Sequence, residues 1–374
     1  MDGYALTDQE VCTTMLPSLP ESPMKLQPIH LPCGDAPQPG PGNALQKVGR
    51  NSSAPQVVIV HSLDAEEQAQ VLRQWDQTYV QLTPGQFEGR LIETSFGDTQ
   101  FFRETTNQVI HESGRSRPGS RSFCVPLSMN GTTYFRGIEW NHDDCATMAG
   151  DVDIDLHTAA KLDLIGVSFR ADKLAEATVE HELDPACVDR WLSGSRLARL
   201  PPGSVARLRR TLLDVAVLVE ARSVLLENPA VRSGIESTLN EAFLSLMVDA
   251  LDVRGPRRSY PPRQHMVGRA IEFVASHPAD LVTVSDLCRK LRVSRRTLQL
   301  YFEEALHISP LQYLRAFRLN KVRTLIRTAN GTLQVQDAAA RWGFWHMSQF
   351  ASDYKRLFGK LPSQDTSVSA RRTA

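Results

Sequence analysis

Two short stretches near the C-terminus carry side chains of the types that recognise DNA bases. The first holds Arg295, Arg296 and Gln299, with Leu300 beside them. Arginine can bond guanine O6 and N7 together, glutamine can bond adenine N6 and N7, and an apolar group can contact a thymine methyl. The second stretch adds seven candidates, which are Trp345, His346, Ser348, Gln349, Ser352, Lys355 and Arg356. These types predict contact with base edges in a major groove.

Several of these side chains have a second role open to them. Arg295, Lys355 and Arg356 could hold only backbone phosphate, which fixes register without reading sequence. Trp345 and His346 could instead pack at the start of a helix. The set as a whole therefore supports DNA contact better than any single member does.

Each stretch belongs to a helix, tight turn and second helix, and this pattern occurs twice. In the first copy, apolar residues recur at three- and four-residue spacing, which is the period of a half-buried helix. Ser294 is placed to cap the following helix. The buried positions predicted for this copy are Val284, Leu287, Cys288 and Leu291 on the first helix, and Leu298, Phe302 and Leu306 on the second.

The second copy repeats the pattern. Gly343 stands where a helix would end in a left-handed residue, and Phe344 follows as the apolar contact after the turn. The buried positions predicted here are Val335, Ala338, Ala339 and Trp342, and then Phe350, Tyr354 and Leu357.

A third helix, predicted over residues 310–327, joins the two copies. Pro310 suits its first turn, because the missing N–H would be unpaired there. Its apolar row of Leu311, Leu314, Phe317 and Val322 is expected to pack on both copies. Such a helix is about 27 Å long, and successive major grooves on one face of DNA are roughly 34 Å apart. The arrangement therefore suits two recognition helices in adjacent grooves.

These residues resemble the double helix-turn-helix domain of AraC-type transcription regulators. The run from Trp342-Gly343-Phe344 to Phe358-Gly359 and on to Pro362-Ser363 is similar to the C-terminal signature of that family. The resemblance implies a double-stranded promoter site and RNA polymerase as partners. It also implies an N-terminal barrel that binds a small effector, and in many members a homodimer.

A narrower similarity points to one branch of that family, the ethanolamine operon regulators. It is carried by residues 82–91, 102–105 and 123–126, and by residues 287–288, 293–299 and 342–346. That branch responds to ethanolamine and adenosylcobalamin. The similarity therefore implies these two compounds as effectors.

The charge distribution divides the chain in two. Residues 254–374 contain 21 basic and 8 acidic residues, whereas the remainder contains 21 basic and 34 acidic residues. The two parts carry net charges of +13 and −13, which cancel in the whole chain. A basic module joined to an acidic one favours a phosphate-binding domain attached to a sensing or assembly domain.

The chain before this module predicts a β-rich domain. Short runs typical of strands lie at 57–60, 89–96, 100–105, 107–111, 122–127, 132–136 and 162–169, and residues 64–79 have helical spacing with Asp64 as a cap. Frequent short strands with glycine and asparagine turns indicate a small antiparallel barrel or sandwich. Residues 151–156 alternate, so their aspartates either face water or form an acidic rim for a cationic ligand.

Two helical segments follow, and they either dimerise or pack on the barrel. The first contains Val205, Leu208, Leu212, Leu213, Val215, Ala216 and Val219, and the second contains Ile235, Leu239, Ala242, Phe243, Leu246 and Met247. Asn228-Pro229 separates them.

Enzymatic and metal chemistry have little support in the sequence. The six cysteines lack Cys-x-x-Cys or zinc-like spacing, which favours reduced, buried thiols. His111, His142 and His157 are not arranged as a metal site, and no nucleophile elbow or phosphate-binding glycine loop occurs. A repair methyltransferase fused to this module would need an activated cysteine, and none of the six has that setting.

The predicted protein is an α+β cytoplasmic regulator without catalytic or metal residues. Its predicted parts are a disordered leader (1–55), a β-rich effector domain (56–202), a helical assembly segment (203–253), a linker (254–263) and the double helix-turn-helix (264–365). No apolar run is long enough to span a membrane, and no signal segment is seen. Control through a protein partner at the N-terminal domain, without a small ligand, is the alternative.

Overall fold

The computed structural model describes residues 57–150, 152–183, 194–222, 224–249, 262–277, 281–329 and 331–366. The predicted leader, residues 254–261 of the predicted linker and Asp151 lie outside these ranges. Within them, no helix is both long and apolar enough to cross a bilayer.

The N-terminal part of the described chain consists of twelve antiparallel strands in two open sheets. The first sheet has the order β1-β3-β4-β11-β6-β9-β12 and the second has the order β2-β5-β10-β7-β8. The strands are β1 Val58–Ser62, β2 Asp76–Gln81, β3 Gly89–Phe96, β4 Thr99–Thr106, β5 Ile110–Arg115, β6 Ser120–Asn130, β7 Tyr134–Phe135, β8 Ile138–Glu139, β9 Asp144–Ala149, β10 Asp153–His157, β11 Lys161–Arg170 and β12 Arg196–Arg199. The predicted β-rich fold is confirmed, with two open sheets in place of a closed barrel.

The helices are concentrated in the second half of the chain. They are α1 Ala65–Ala69, α2 Ala171–Glu180, α3 Pro202–Glu220, α4 Pro229–Asp249, α5 Pro262–Ser276, α6 Val284–Leu291, α7 Arg295–Leu306, α8 Pro310–Thr328, α9 Val335–Arg341, α10 Met347–Phe358 and α11 Pro362–Asp365, with a short 3-10 turn at Val224–Glu227. The α+β class predicted from the sequence is therefore confirmed.

The first sheet is buried on both faces. Successive residues of a strand point to opposite faces, so Phe101 and Phe102 of β4 enter different cores. Phe101 joins the core shared with α3 and α4, where Leu212 and Phe243 are buried. Phe102 faces the core formed with the second sheet. Of the two alternatives for these segments, internal packing is seen for the apolar faces of α3 and α4, although Leu213 is 38% exposed.

The helix predicted over residues 64–79 is wrong for most of its length. Asp64 does cap a helix, because its Oδ1 accepts a bond from the Glu67 N–H at 3.0 Å. However, α1 ends at Ala69, and the chain turns at Gln74, whose φ is 66°. Residues 76–81 form β2, which pairs with β5. The helical spacing of the apolar residues was overridden by this strand pairing.

The predicted acidic strand is β10, and its two described aspartates are ion-paired, although the side chain of Asp153 is 58% exposed. Ile154 and Leu156 are buried as predicted. Asp155 contacts His111 Nε2 at 3.0 Å, and Asp153 accepts a bond from Arg115 Nε at 2.8 Å. These pairings leave little support for an acidic rim that would attract a ligand.

Helix α8 is fixed to α1 and β2 by hydrogen bonds and ion pairs. Asn320 and Gln81 exchange two bonds, one from the Gln81 N–H to Asn320 Oδ1 and one from Asn320 Nδ2 to the Gln81 carbonyl, each 3.2 Å long. Lys321 Nζ lies 2.6 Å from Glu66, and Arg327 lies 2.5 Å from Glu67. The C-terminal helices are therefore tied to the β-rich part through an acidic helix, α1, and a basic one, α8.

Arg323 is the centre of this contact. Its side chain is 1% exposed and lies 3.0 Å from Asp64 and 3.2 Å from Asp365. It also donates a bond of 2.6 Å to the Leu63 carbonyl. Burial raises the pKa of Asp365, but the charges of Arg323 and Lys360 outweigh burial, so the net shift is downward. Asp365 is therefore charged in the fold, and Arg323 balances two buried carboxylates.

Candidate DNA-binding surface

The first helix-turn-helix is built from α6 and α7. Thr283 and Asp286 form a capping box at the start of α6. Arg292 ends that helix in the left-handed region with a φ of 56°, and the Val293 N–H bonds the Cys288 carbonyl at 3.1 Å. Ser294 then caps α7 as predicted, with its hydroxyl 3.0 Å from the Thr297 N–H. Two caps and one tight turn thus fix where α7 begins.

The second helix-turn-helix, α9 and α10, has the same kind of turn. Gly343 is left-handed with a φ of 78°, as predicted, and the Phe344 N–H bonds the Ala339 carbonyl at 3.0 Å. Phe344 packs against Phe350, with ring centroids 5.2 Å apart. Helix α10 starts after His346, whose side chain forms no cap. The turn therefore depends on its glycine and on the apolar contact that follows.

Helix α7 separates a buried face from an exposed one. Leu298, Phe302 and Leu306 are buried, as predicted. Arg295 and Arg296 are exposed, and neither has a partner among the described residues. Leu300 is 46% exposed. Arg295, Arg296 and Leu300 are thus accessible to a DNA groove.

Gln299 is the one candidate on α7 that is engaged in the free protein. It is half-buried, and its Nε2 donates to Glu303 Oε1 at 2.6 Å. Glutamine reads adenine with its amide nitrogen and oxygen together. The amide nitrogen carries a second N–H, so Gln299 keeps one donor and its Oε1 for a base while it bonds Glu303.

The seven candidates around α10 are all exposed. Trp345 is 73% exposed. This exposure does not support the alternative that Trp345 and His346 pack at the start of the helix. The buried side of α10 consists of Phe350, Tyr354 and Leu357, as predicted.

Asp353 was missed in the sequence, and it orders the exposed face of α10. It is 1% exposed, accepts from Gln349 at 3.1 Å and from Arg356 at 2.7 Å, and is bonded by Arg315 of α8. Burial and then the Arg356 charge lower the pKa of Arg315. The four- and three-residue spacing of Gln349, Asp353 and Arg356 was the signal that could have revealed this anchor.

Helix α8 connects the two units, as predicted, and Pro310 occupies its first turn. Its 19 residues give a length of about 28 Å. Leu314, Phe317 and Val322 are buried between the units. Leu311 is 64% exposed, so its predicted place in the packed row is wrong. Its three-residue spacing does place it on the side of Leu314, but the described part of the chain leaves this end of the row uncovered.

The residues that the structure describes contain no group of three or more histidine, cysteine, aspartate or glutamate side chains that could hold a metal ion. Cys124 and Cys145 are buried free thiols, and burial raises the pKa of both. The sheets therefore offer no activated cysteine among the described residues.

Comparison with known proteins agrees with this geometry. Residues 287–366 match the family model described as a helix-turn-helix domain. A probable thc operon regulatory protein of Rhodococcus erythropolis is 32% identical over 155 residues, which are 40% of this chain and 47% of that protein. XylDLEGF operon transcriptional activator 2 of Pseudomonas putida is 24% identical over 123 residues, covering 33% of this chain and 78% of the activator.

Among solved structures, the AraC-like transcriptional activator CuxR is 14% identical, with a TM-score of 0.35 over 62% of this chain and 80% of CuxR. The matched relatives are named as regulators and activators of operons. The match spans about half the length of the Rhodococcus protein. Residues 287–366 are therefore a helix-turn-helix domain, within a chain that is similar in part to regulators of operons.

Proposed function

We propose that this chain is a cytoplasmic, sequence-specific regulator of transcription, with activation as its main effect. The observation that carries the proposal is the pair of exposed helix faces, on α7 and α10, within the matched helix-turn-helix domain. On each helix the hydrogen-bond donors lie on the exposed side, and the apolar residues that hold the fold lie on the other side. Double-stranded promoter DNA is the ligand of this surface, and RNA polymerase is its expected partner.

The two faces divide between base reading and phosphate binding. Arg296 stands on the first turn of α7, and its guanidinium has no partner in the described part of the chain, which suits a bidentate bond to guanine. Lys355 and Arg356 lie near the end of α10, where contact with phosphate would fix register. Trp345, His346, Ser348, Gln349 and Ser352 are the remaining candidates for base contacts on the second unit.

The proposal includes an effector that acts on the β-rich part. The similarity to the ethanolamine operon regulators implies ethanolamine and adenosylcobalamin. This assignment of the effector is supported only by the similar segments named in the sequence analysis. The relatives reported above are named for other operons. A homodimer through α3 and α4 belongs to the same proposal, and the exposed Val217 of α3 is an apolar position available to it.

Footprinting on the DNA upstream of the gene and of neighbouring operons tests the proposal. We expect protection of two adjacent major grooves on one face of the duplex, because two recognition helices are joined by one rigid helix. Protection that strengthens with ethanolamine plus adenosylcobalamin would support the effector as well.

The outcomes separate the parts of the proposal. Protection that is indifferent to both compounds would keep the DNA-binding regulator and remove the ethanolamine assignment. The absence of any sequence-specific protection, with the protein folded, would overturn the regulator itself.

A further inference from the structure

The second recognition helix, α10, ends against a loop of the β-rich part. We call residues 82–86, which directly follow β2, the cap loop. The Gly85 N–H donates to the Leu357 carbonyl at 2.9 Å, and Gln81 Nε2 lies 2.9 Å from the same carbonyl. Carbonyls in the last turn of a helix have no partner within that helix. The end of α10 is therefore capped by residues of the β-rich part, although Gln81 and Leu357 are 276 positions apart.

Gln81 is the centre of this contact. Its side chain is fully buried. Besides Leu357, its amide nitrogen lies 2.8 Å from the Thr83 carbonyl and 2.8 Å from the Gly85 carbonyl. The same amide thus ties the cap loop to itself and to α10. Buried carbonyls that lose such a donor gain no water in its place, so the loss is costly.

Two glycines allow the two backbones to meet. Gly85 has a φ of 133°, a conformation that favours glycine, and a Cβ there would lie 2.6 Å from Gln108 Nε2. Gly359 ends α10 with a φ of 75°. A Cβ on Gly359 would lie only 3.3 Å from the Gln86 nitrogen. The end of α10 and the cap loop are therefore in close backbone contact.

The cap loop is anchored on the second sheet. Thr83 Oγ1 donates to Gln108 Oε1 at 2.8 Å and accepts from the Val109 N–H at 2.9 Å. The Leu82 N–H donates to the Val109 carbonyl at 2.9 Å. Gln108 and Val109 directly precede β5. The position of the cap loop is therefore set by the second sheet.

The first recognition helix, α7, meets the second sheet through a different contact. It ends at His307, whose Nε2 lies 3.3 Å from the Tyr134 hydroxyl of β7. This pair is exposed, whereas the bond from Gln81 to Leu357 is buried. A change at Gln81 would therefore act on α10 and leave the contact of α7 in place.

The contact leaves the proposed reading face of α10 open. Ser348, Gln349 and Ser352 are exposed, and they lie on the first two turns of the helix. Leu357 lies in its last turn. The cap loop thus holds α10 by its far end without covering the side chains that would enter a groove.

We propose that Gln81 and the cap loop are positioning residues for DNA recognition by α10. They hold the C-terminal end of that helix against the second sheet, and this contact sets the direction of its exposed face in the groove. The inference rests on the proposed function as a DNA-binding regulator. It adds the part of the β-rich region that controls the half of the DNA site contacted by α10.

Strand β2 extends this control into the β-rich part. Gln77 of the same strand lines a small cavity between the two sheets, which Glu104 and Glu112 also enter. Residues 77 and 81 lie on one face of the strand, because successive residues alternate. A shift of β2 at the cavity would therefore reach the end of α10 along a single strand.

Affinities of the full chain for the two halves of its DNA site test the inference. The wild type first selects its preferred duplexes from a random pool, and each half of the selected site is then scrambled in turn. Arg296→Ala identifies the half that α7 contacts. Gel shifts give the loss of affinity caused by each scrambled half. For the wild type we expect a loss of about tenfold or more for either half, the effect of at least one mismatched base pair.

Gln81→Met keeps the approximate length of the side chain and removes the amide. Scrambling the half contacted by α10 should then cost only about threefold or less, because a loosely held helix gains little from the correct bases. The loss for the half contacted by α7 should stay as in the wild type. A smaller folded fraction lowers all affinities together and leaves both ratios unchanged, so this readout separates positioning from stability.

Three further variants act on the cap loop. Thr83→Val loses the hydroxyl that anchors the loop and should show the same selective effect. Thr83→Ser keeps a hydroxyl and should restore the wild-type ratio. Gln86→Met makes the same change as Gln81→Met at an exposed position of the loop and should behave like the wild type. The Thr83 pair decides the question if Gln81→Met does not fold.

The outcomes distinguish this inference from the proposed function. Wild-type ratios in Gln81→Met and Thr83→Val would overturn it, because α10 would then be positioned by its own unit, through contacts such as the bond of 2.7 Å from the Tyr354 hydroxyl to Asp365. An equal fall in both ratios would also overturn it. A folded wild type that selects no sequence would overturn the regulator itself.

Discussion

Glu104 shows how one buried side chain can make stability depend on pH. Its pKa is about 7 in the folded chain, against 4.5 for an ordinary glutamate. Between these values the folded state keeps a proton that the unfolded state releases. The resulting stabilisation is fully present below the unfolded pKa and is lost as the pH rises through the folded one.

Glu104→Gln is therefore expected to flatten the pH dependence of the unfolding free energy. Between about pH 5 and about pH 8 the wild type should lose roughly 2–3 kcal/mol more than the variant. Urea unfolding at the two pH values measures this difference. His157, whose pKa burial lowers to about 4, acts in the opposite direction and is present in both proteins. Glu88→Gln should behave like the wild type, and an unchanged slope in Glu104→Gln would contradict the assignment.

In helix α7, the residues proposed to contact DNA and the residues that stabilise the fold lie on different faces. Arg296→Ala should lower affinity for the specific site by about 1–3 kcal/mol and relax the preference at one base pair. Its unfolding free energy should stay unchanged, because the side chain is exposed and bonds none of the residues that the structure describes. Leu298→Ala should instead lower the unfolding free energy by about 2–5 kcal/mol, since a fully buried leucine is truncated.

Gel shifts on specific and scrambled duplexes, combined with urea unfolding, compare the two variants of α7. Each serves as the control for the other. An Arg296→Ala loss of affinity that is equal on all sequences would assign this residue to phosphate. A Leu298→Ala protein as stable as the wild type would contradict the buried face.

Helices could be predicted from the sequence where their own residues set the boundaries. Ser294 before α7, Pro310 at the start of α8 and Gly343 after α9 act within one turn of the chain, and all three hold in the structure. The helix predicted over residues 64–79 was wrong, because β2 forms by pairing with β5, whose residues lie more than twenty positions away in the sequence. The prediction that Leu311 is buried was wrong, because the period of the apolar residues does not show whether other parts of the chain cover the first turn of a helix.

For the whole molecule, the contact at Arg323 is expected to couple the two halves during unfolding. Arg323→Met would leave Asp64 buried without its cation, whereas Asp365 would keep Lys360 at 2.7 Å and Arg327 at 3.4 Å. Removing one partner of a buried ion pair costs about 3–5 kcal/mol. In scanning calorimetry the wild type should unfold in one transition, and the variant should be less stable and show two.

Arg341→Met is the matched control for this variant, because Arg341 is exposed on α9 and has no partner within the described residues. It should unfold like the wild type. Two separate transitions in the wild type itself would show that the α1 and α8 contact does not couple the halves.

The candidate DNA-reading residues could be selected from the sequence, because exposure on a helix follows from the period of its apolar residues. The cavity between the two sheets could not be predicted from the sequence. Gln68 and Glu104, which are 36 positions apart, meet there only because α1 packs over the first sheet. Asp353 was missed for a similar reason, since its partner Arg315 belongs to another helix.

The sequence by itself determined the two helix-turn-helix units, the helix between them, the β-rich class of the first half and the faces that α7 and α10 expose. Each of these follows from caps, turns and periodicity that act over a few residues. Only the tertiary structure decided that Glu104 and Glu112 share one apolar cavity, and that Gln81 meets Asn320, 239 positions away. Such contacts depend on which distant surfaces pack together, and that is set by the total burial and pairing of the whole chain.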